Sequence, residues 1–232
     1  MNPIKNFCEI NNIKLVEDSA QGIGAFNEKH AGSWGVGGCI SFYPAKIVGC
    51  LGDGGALITN NDELADFARS VRDHGRGKEL EAVNWGRNSR LDALNARVIL
   101  ERLNQIENLI HKRRKIAEIY YEKLNSLEKE GILNLPPKFS TNSSSESTFQ
   151  NYEIKVNSRE KLMNFLKSKG ISTIKQWGGY SIAHFEKLGF NIDDYPSTAE
   201  LFEKLLLLPM NHLMSEEDAN YVAESIISYY KN

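Results

Sequence analysis

The sequence predicts an α/β fold, because helices alternate with hydrophobic strands in its first part. Residues 3–12 carry apolar side chains at the spacing of a short helix, and residues 13–18 read as a buried strand that ends in acids. In α/β sheets, ligands bind outside the carboxyl ends of the strands, which is where Asp18 is expected. This first segment therefore predicts both a sheet and the edge at which a site would form.

The segments that follow continue the alternation. Residues 39–42 and 55–59 are short apolar strand candidates. The polar residues at the start of 61–72 can cap a helix that presents one apolar face. A loop rich in glycine and charge then occupies residues 73–88. We therefore expect at least three strands and a helix before the long helical region.

The stretch 90–127 is strongly helical, with apolar residues along its length. The charged run at 111–114 predicts a break that divides it into two helices. We assign residues 1–110 to one domain and residues 111–232 to a second, small α+β domain.

The second domain carries its own helix, strand and turn signals. It is predicted to contain a flexible surface loop at 140–145, a strand at 152–156, a helix at 159–169, a glycine-rich turn around Trp177, a core segment at 205–209 and a final helix at 215–230.

Composition narrows the class of protein. The 232 residues are 41% hydrophobic and 25% charged, and the net charge of −2 gives no electrostatic reason to expect nucleic acid or a membrane surface as a partner. No apolar run has the length that spans a bilayer, and the N-terminus lacks the apolar core of a signal peptide. The three cysteines form no C-x-x-C pair, so neither a disulfide framework nor a metal site is expected. A cytoplasmic location fits these features best.

Lys46 and the residues before it supply the groups that a pyridoxal phosphate (PLP) site requires. The lysine amine can form a Schiff base, and Asp18 can hold a protonated ring nitrogen. Ser41 and the glycine-rich segment 52–55 can hold a phosphate, while Gln21 could lie beside the ring. The order of these groups along the chain predicts PLP chemistry.

Each of these residues alone has an ordinary structural explanation. A single lysine is usually a solvated surface charge, and an aspartate at a strand end is usually a cap or a turn former. The glycines from Gly32 to Gly55 do not form a Rossmann fingerprint and could simply be turns. The Asn88-Ser89-Arg90 segment could be no more than a helix cap. The combination in order is what favours the PLP interpretation.

Four motifs carry a resemblance to a known family. Residues 17–21 read EDSAQ, 41–46 read SFYPAK, 52–55 read GDGG and 86–92 read GRNSRLD. In this order they resemble the DegT/DnrJ/EryC1/StrS family of PLP-dependent sugar aminotransferases, which have the type I (aspartate aminotransferase) fold. The resemblance is specific from residue 1 to about residue 124 and looser beyond it. It implies that residues 1–110 are the remainder of a PLP-binding large domain.

The resemblance also implies roles for individual residues. Lys46 would form the Schiff base, Asp18 would hold the pyridinium, Gln21 would contact the ring and Ser41 the phosphate. Asn88 would reach the phosphate in a neighbouring subunit, since the family's sites are shared across a homodimer. Trp177 and His184 fall in a stretch that lines the sugar site in many members, although the Tyr-Pro found there in those members is absent.

The reaction implied by the resemblance moves an amino group, typically from glutamate, onto a nucleotide-linked keto-sugar. The product is an amino-sugar for a lipopolysaccharide, another surface glycan or a glycosylated product. Family members carry well over a hundred further residues before the segment that matches Met1. We therefore expect the isolated chain to be poorly soluble or to need a complementary N-terminal fragment.

Two other functions stay open. The chain could be a non-catalytic fragment or an interaction subunit that keeps the C-terminal domain. It could also be a PLP-dependent dehydratase of deoxysugars, but in that variant a histidine replaces the lysine, and Lys46 argues against it.

Overall fold

The computed structural model describes residues 1–139 and 147–231. These residues form two compact units, and each is described by itself. The first comprises Met1–Ile110 together with residues 147–150, and the second comprises His111–Phe139 together with residues 151–231. The loop predicted at 140–145 lies outside the described residues. Among the residues that are described, no helix combines the length and apolarity needed to cross a membrane.

The first unit contains short strands followed by helices. In chain order its elements are α1 (Asn2–Ile10), β1 (Val16–Asp18), β2 (Phe26–Asn27), β3 (Lys29–His30), β4 (Gly37–Ser41), β5 (Gly55–Ile58), α2 (Asp62–Arg72), α3 (Ala93–Leu103) and the start of α4 (Ile106–Lys129).

Strand β4 lies in the middle of the main sheet of this unit, in the described order β1-β4-β5. It pairs with β1 in parallel and with β5 in antiparallel orientation. Ile40 and Phe42 pack with Val48 and with the helical residues Ile99 and Ile110 to form the core. The predicted strands 39–42 and 55–59 therefore exist within two residues of their expected bounds.

Strand β1 differs from its prediction. It is shorter than residues 13–18, and its side chains at Val16 and Asp18 are exposed while Glu17 between them is buried. The prediction was a buried strand that ends in acids, whereas Glu17, one of those acids, is the one buried residue of β1. The reason is that the Glu17 carboxylate is satisfied by backbone N–H groups, as described below. Cys39, opposite Asp18, is likewise exposed.

The helices of the first unit follow their capping signals. Asn61 caps α2 as predicted, and its side-chain oxygen accepts a hydrogen bond from the Leu64 N–H at 2.7 Å. The predicted break at residues 111–114 is wrong, because α4 runs through them and the helical stretch is interrupted at residues 104–105 instead. The charged run contains neither glycine nor proline, so nothing in its backbone opposes a helix. Arg113 is buried, and its guanidinium donates to the Met210 carbonyl at 3.3 Å.

The second unit combines an antiparallel sheet with helices. After the continuation of α4 its elements are β6 (Leu133–Asn134), β7 (Tyr152–Val156), α5 (Arg159–Ser168), short 3₁₀ turns at Gln176–Gly179, Ile182–His184, Glu186–Leu188 and Ile192–Asp194, then α6 (Pro196–Lys204), β8 (Leu205–Leu208) and α7 (Glu216–Lys231).

Strand β7 lies between β6 and β8 in this unit, and Ile154 is opposite Leu206. Both side chains are fully buried, which confirms that the leucine run at 205–209 belongs to the core. Tyr120 of α4 packs on Tyr152 with ring centroids 5.0 Å apart, and its hydroxyl donates to the Pro209 carbonyl at 2.7 Å. Burial raises the pKa of Tyr120 far above its usual range, so this hydroxyl stays protonated and keeps that bond.

Candidate active site

The register of the sheet brings Asp18 and Ser41 to the same edge. Asp18 pairs with Cys39 in the parallel β1–β4 pairing, and Ser41 is the last residue of β4. The carboxyl ends of parallel strands lie at one edge of a sheet, where α/β proteins bind ligands. Because β5 is antiparallel and Gly55 is opposite Ser41, the glycine-rich segment that precedes β5 starts from this edge as well.

Lys46 lies in a loop that leaves the same edge directly after β4. The Lys46 N–H donates to the Tyr43 carbonyl at 2.8 Å, and the Cys50 N–H returns to the Phe42 carbonyl at 2.7 Å. The loop thus closes on itself. Gly49 permits this closure, since a Cβ at that position would overlap the Pro44 carbonyl oxygen.

The chain on either side of Lys46 is held by different means. Ile47 and Val48 immediately after it are buried in the core. The side-chain amide of Gln150 binds the carbonyl of Ala45 and the N–H of Ile47. Further along, the Asn95 side chain on α3 accepts from the Leu51 N–H at 3.1 Å. Lys46 itself is half-buried, on a loop whose backbone is anchored to the core of the first unit.

The functional groups at this edge are not neutralised by neighbouring charges. The Asp18 carboxylate accepts from the Ala20 N–H at 3.1 Å, and the Ser41 hydroxyl oxygen accepts from the Tyr43 N–H at 3.2 Å. Within residues 1–139 and 147–231, neither Asp18 nor Lys46 takes part in an ion pair. Gln21 is exposed in the turn that follows β1. The edge therefore offers an anion, a cation and a hydroxyl whose proton can be donated.

Asn88 lies at the base of an exposed arm formed by residues 73–88. A backbone bridge joins it to Asp73, and its side-chain oxygen accepts from Arg90 Nε at 3.1 Å. The alternative that residues 88–90 cap the next helix is wrong, because Asp92 is the cap of α3 and accepts from the Leu94 N–H at 2.8 Å. Asn88 is thus an exposed residue outside any helix cap.

Trp177 and His184 belong to the second unit. Trp177 is 76% exposed and has a positive φ of 50° in a tight turn, a conformation that is unusual for a bulky residue. The Nδ1 atom of His184 accepts from the Ser181 N–H at 2.9 Å, and its ring packs edge-on against Tyr180. Because Nδ1 is an acceptor in this bond, the neutral imidazole carries its proton on Nε2.

The sequence interpretation gave no role to Glu17, which the structure places at the centre of the β1–β4 region. Its side chain is 9% exposed and accepts three backbone hydrogen bonds, from Gly32 at 2.8 Å, Trp34 at 2.6 Å and Gly35 at 3.0 Å. These residues form the loop that leads into β4. Three N–H donors stabilise a buried carboxylate without a cation. An acid inside a short apolar strand is the signal that could have found it.

Other ligand classes find less support at this edge. In the part of the chain that the structure describes, no three His, Cys, Asp or Glu side chains come together in an arrangement suited to a metal ion.

The comparisons with known proteins decide the family. The sequence pattern of the DegT/DnrJ/EryC1/StrS aminotransferase family matches residues 1–227. The chain belongs to this family. A relative named as a pleiotropic regulatory protein, from Geobacillus stearothermophilus, is 33% identical over 235 residues that cover all of this chain and 62% of that protein. The UDP-2-acetamido-2-deoxy-3-oxo-D-glucuronate aminotransferase of Pseudomonas aeruginosa is 36% identical over 69% of this chain and 43% of its own length.

Solved structures of DegT/DnrJ/EryC1/StrS aminotransferases have the same fold. One from Brucella abortus superposes with a TM-score of 0.86 at 32% identity and covers all of this chain and 61% of that protein. The ntda protein of Bacillus subtilis, solved with bound cofactor PMP, gives a TM-score of 0.81 at 25% identity and covers 99% of this chain and 53% of that protein. The predicted type I fold and family are thereby confirmed, for a chain that spans between 43% and 62% of the length of these four proteins.

The role of Glu17 is testable through stability. In Glu17→Gln an NH₂ group replaces one carboxylate oxygen, either Oε1, which accepts from Trp34 and Gly35, or Oε2, which accepts from Gly32, and the NH₂ group cannot accept these bonds. We expect the free energy of unfolding of the first unit to fall by about 1–3 kcal/mol, the cost of leaving buried donors unsatisfied. Urea unfolding followed by circular dichroism measures this change. Glu79→Gln, on the exposed arm, is the matched control and should change little; equal stability of both variants would contradict the assignment.

Proposed function

We propose that this chain carries the lysine side of a PLP site that moves an amino group from glutamate to a nucleotide-linked keto-sugar. The observation that supports it is the convergence of Asp18, Ser41 and Lys46 on one edge of the sheet, where neither Asp18 nor Lys46 forms an ion pair within the described residues. Family membership supports the same reaction class. Residues 1–110 are assigned to the PLP-binding large domain and residues 111–232 to the small domain.

The donor groups at this edge suit PLP. The cofactor supplies an electron sink for the substrate's α-carbon when its ring nitrogen is protonated. The Asp18 carboxylate would accept a hydrogen bond from that protonated nitrogen, and the Ser41 hydroxyl would donate to the phosphate. The Lys46 amine would bind the cofactor aldehyde and, once displaced by substrate, would move a proton at the substrate carbon as base and acid. Gln21 is assigned to the cofactor ring.

The substrate class follows from the relatives. The Pseudomonas aeruginosa relative is named for a UDP-linked keto-sugar acid, and another relative is named a dTDP-linked trideoxyglucose transaminase. We assign this chain to the amination of a nucleotide-linked sugar destined for lipopolysaccharide or another glycan. A cytoplasmic location agrees with the free state of all three cysteines, none of which is in a disulfide.

The role of Lys46 has a direct test. Adding PLP to the purified protein should produce the absorption band of a cofactor joined to an amine, and Lys46→Ala should abolish it. The matched control is Lys161→Ala, which removes an exposed lysine on α5 and should leave the band unchanged. A band that persists in Lys46→Ala would show that another amine binds the cofactor.

A second candidate function is a non-catalytic regulatory or interaction subunit. It is favoured by the name of the Geobacillus stearothermophilus relative, a pleiotropic regulatory protein, which matches along the whole chain. Absence of the cofactor band from the wild-type protein and from both lysine variants would favour this candidate. The dehydratase alternative is not supported, since Lys46 occupies the position where that variant has a histidine.

Trp177 and His184 are assigned to the nucleotide-sugar site. An exposed indole on a tight turn offers a flat apolar face on which a base or a sugar ring can stack. The Nε2–H of His184 is a donor for a sugar or phosphate oxygen, because Nδ1 is occupied by Ser181.

Loss of the indole should weaken binding of the sugar nucleotide. For Trp177→Ala we expect the Kd of a UDP-linked sugar, measured by titration calorimetry, to rise about tenfold, as removal of one stacking platform does elsewhere. Tyr221→Ala removes a comparably exposed aromatic ring on α7 and serves as the control. Equal Kd values for wild type and Trp177→Ala would exclude the assignment.

We further propose a homodimer in which Asn88 of one subunit reaches the cofactor phosphate of the other. The arm that carries Asn88 supports this, since it exposes Trp85 almost completely, at 99%, together with Leu80 and Val83. Exposed apolar side chains grouped on one segment are typical of a protein interface.

The arm can be tested through the oligomeric state. Trp85→Ser should shift the protein from dimer to monomer in sedimentation velocity, because it removes the largest apolar group that the partner would bury. Trp177→Ser, which removes the exposed tryptophan of the second unit, should leave the dimer intact. A Trp85→Ser protein that sediments as the wild type does would exclude this interface.

A further inference from the structure

Gln150 contacts the backbone on both sides of Lys46. Its side-chain nitrogen donates to the Ala45 carbonyl at 2.9 Å, and its side-chain oxygen accepts from the Ile47 N–H at 3.0 Å. A carbonyl can only accept and an N–H can only donate, so these two partners fix the orientation of the amide. One side chain therefore holds the two residues that bracket the lysine.

The remaining contacts hold the loop at other points. The Lys46 N–H bonds within its own turn to Tyr43, and the burial of Ile47 and Val48 anchors the chain after the lysine. Gln150 comes from a segment more than 100 residues further along the sequence, at separations of 103 and 105 residues. The two hydrogen bonds of Gln150 are thus a tertiary contact, which the local turn geometry does not provide.

We propose that Gln150 is a positioning residue for Lys46. A lysine amine at the end of a four-carbon stem loses conformational freedom when it must meet a cofactor aldehyde. Fixing the Ala45 and Ile47 peptide groups fixes the Lys46 Cα and the direction in which the stem leaves the loop. Part of the conformational entropy that Lys46 must lose is then lost on folding, before the cofactor binds. This inference rests on the proposed function, because it takes Lys46 as the residue that binds PLP.

Two substitutions distinguish the loss of the two Gln150 hydrogen bonds from the loss of the volume of its side chain. Gln150→Ala removes both hydrogen bonds. Gln150→Glu keeps the shape and keeps an acceptor for the Ile47 N–H, but it places a second acceptor against the Ala45 carbonyl. Glutamate has nearly the same shape as glutamine, so Gln150→Glu still tests the proposal if Gln150→Ala fails to fold.

Three readouts test the proposal in the full chain. Hydrogen exchange at the Ile47 amide should accelerate about tenfold in Gln150→Ala, since its acceptor is lost. The rate at which acetic anhydride acetylates Lys46 in the absence of cofactor, divided by the rate at Lys161, should differ severalfold from the wild-type ratio in both variants. The Kd for PLP should rise about tenfold in both variants, because a small displacement of a reacting group is enough to cause such a loss.

Asn95→Ala is the matched control, because it removes one hydrogen bond to the same loop, at Leu51. It should leave the acetylation of Lys46 and the Kd for PLP unchanged. Equal effects of Asn95→Ala and Gln150→Ala would overturn the proposal in favour of general loop stability. Unchanged acetylation of Lys46 and unchanged Kd in the Gln150 variants would overturn it as well. Failure of the wild-type protein to bind PLP would refute the proposed function, while the acetylation of Lys46 would still decide whether Gln150 positions it.

Discussion

The parallel pairing of β1 with β4 is the constraint on which the candidate site depends. It places the end of β1, with Asp18, beside the end of β4, with Ser41, and the Lys46 loop starts from that same edge. Glu17 secures this pairing from the buried side. Its carboxylate accepts hydrogen bonds from three N–H groups of the loop that enters β4. One side chain therefore holds the two strands and the loop that connects them. A slip of one residue would turn Glu17 outward and Asp18 inward.

Glycine is essential where these segments approach each other most closely. A Cβ at Gly38 would overlap the Cα of Gly32, and a Cβ at Gly35 would overlap the Leu15 carbonyl oxygen. At Gly49 the overlap would be with Pro44 inside the lysine loop. Gly35, Gly38 and Gly49, which could have been ordinary turn formers, thus permit the close backbone packing around the strands.

Local signals predicted a large part of the fold. Asn61 marked the start of α2, and the runs at 152–156 and 205–209 marked the core strands of the second unit. Such elements follow from capping chemistry and hydrophobic periodicity, which act over a few residues. The break in the long helical stretch was misplaced because a run of charges was taken as a stop signal. The burial of Glu17 in β1 was not predicted, because hydrophobicity alone gives no reason to bury a glutamate, and its partners are 15 to 18 residues away.

From the sequence by itself, the motifs at residues 17–21, 41–46, 52–55 and 86–92 indicated the family that the comparison then showed, and with it the cofactor. Only the tertiary structure decided how these residues are supported. Gln150 and Glu17 act through hydrogen bonds between segments distant in sequence, at separations of 103 and 15 residues or more. Side chains of this kind leave no periodic or local pattern. Their partners are backbone groups, which every residue possesses, so only the folded chain reveals which ones they meet.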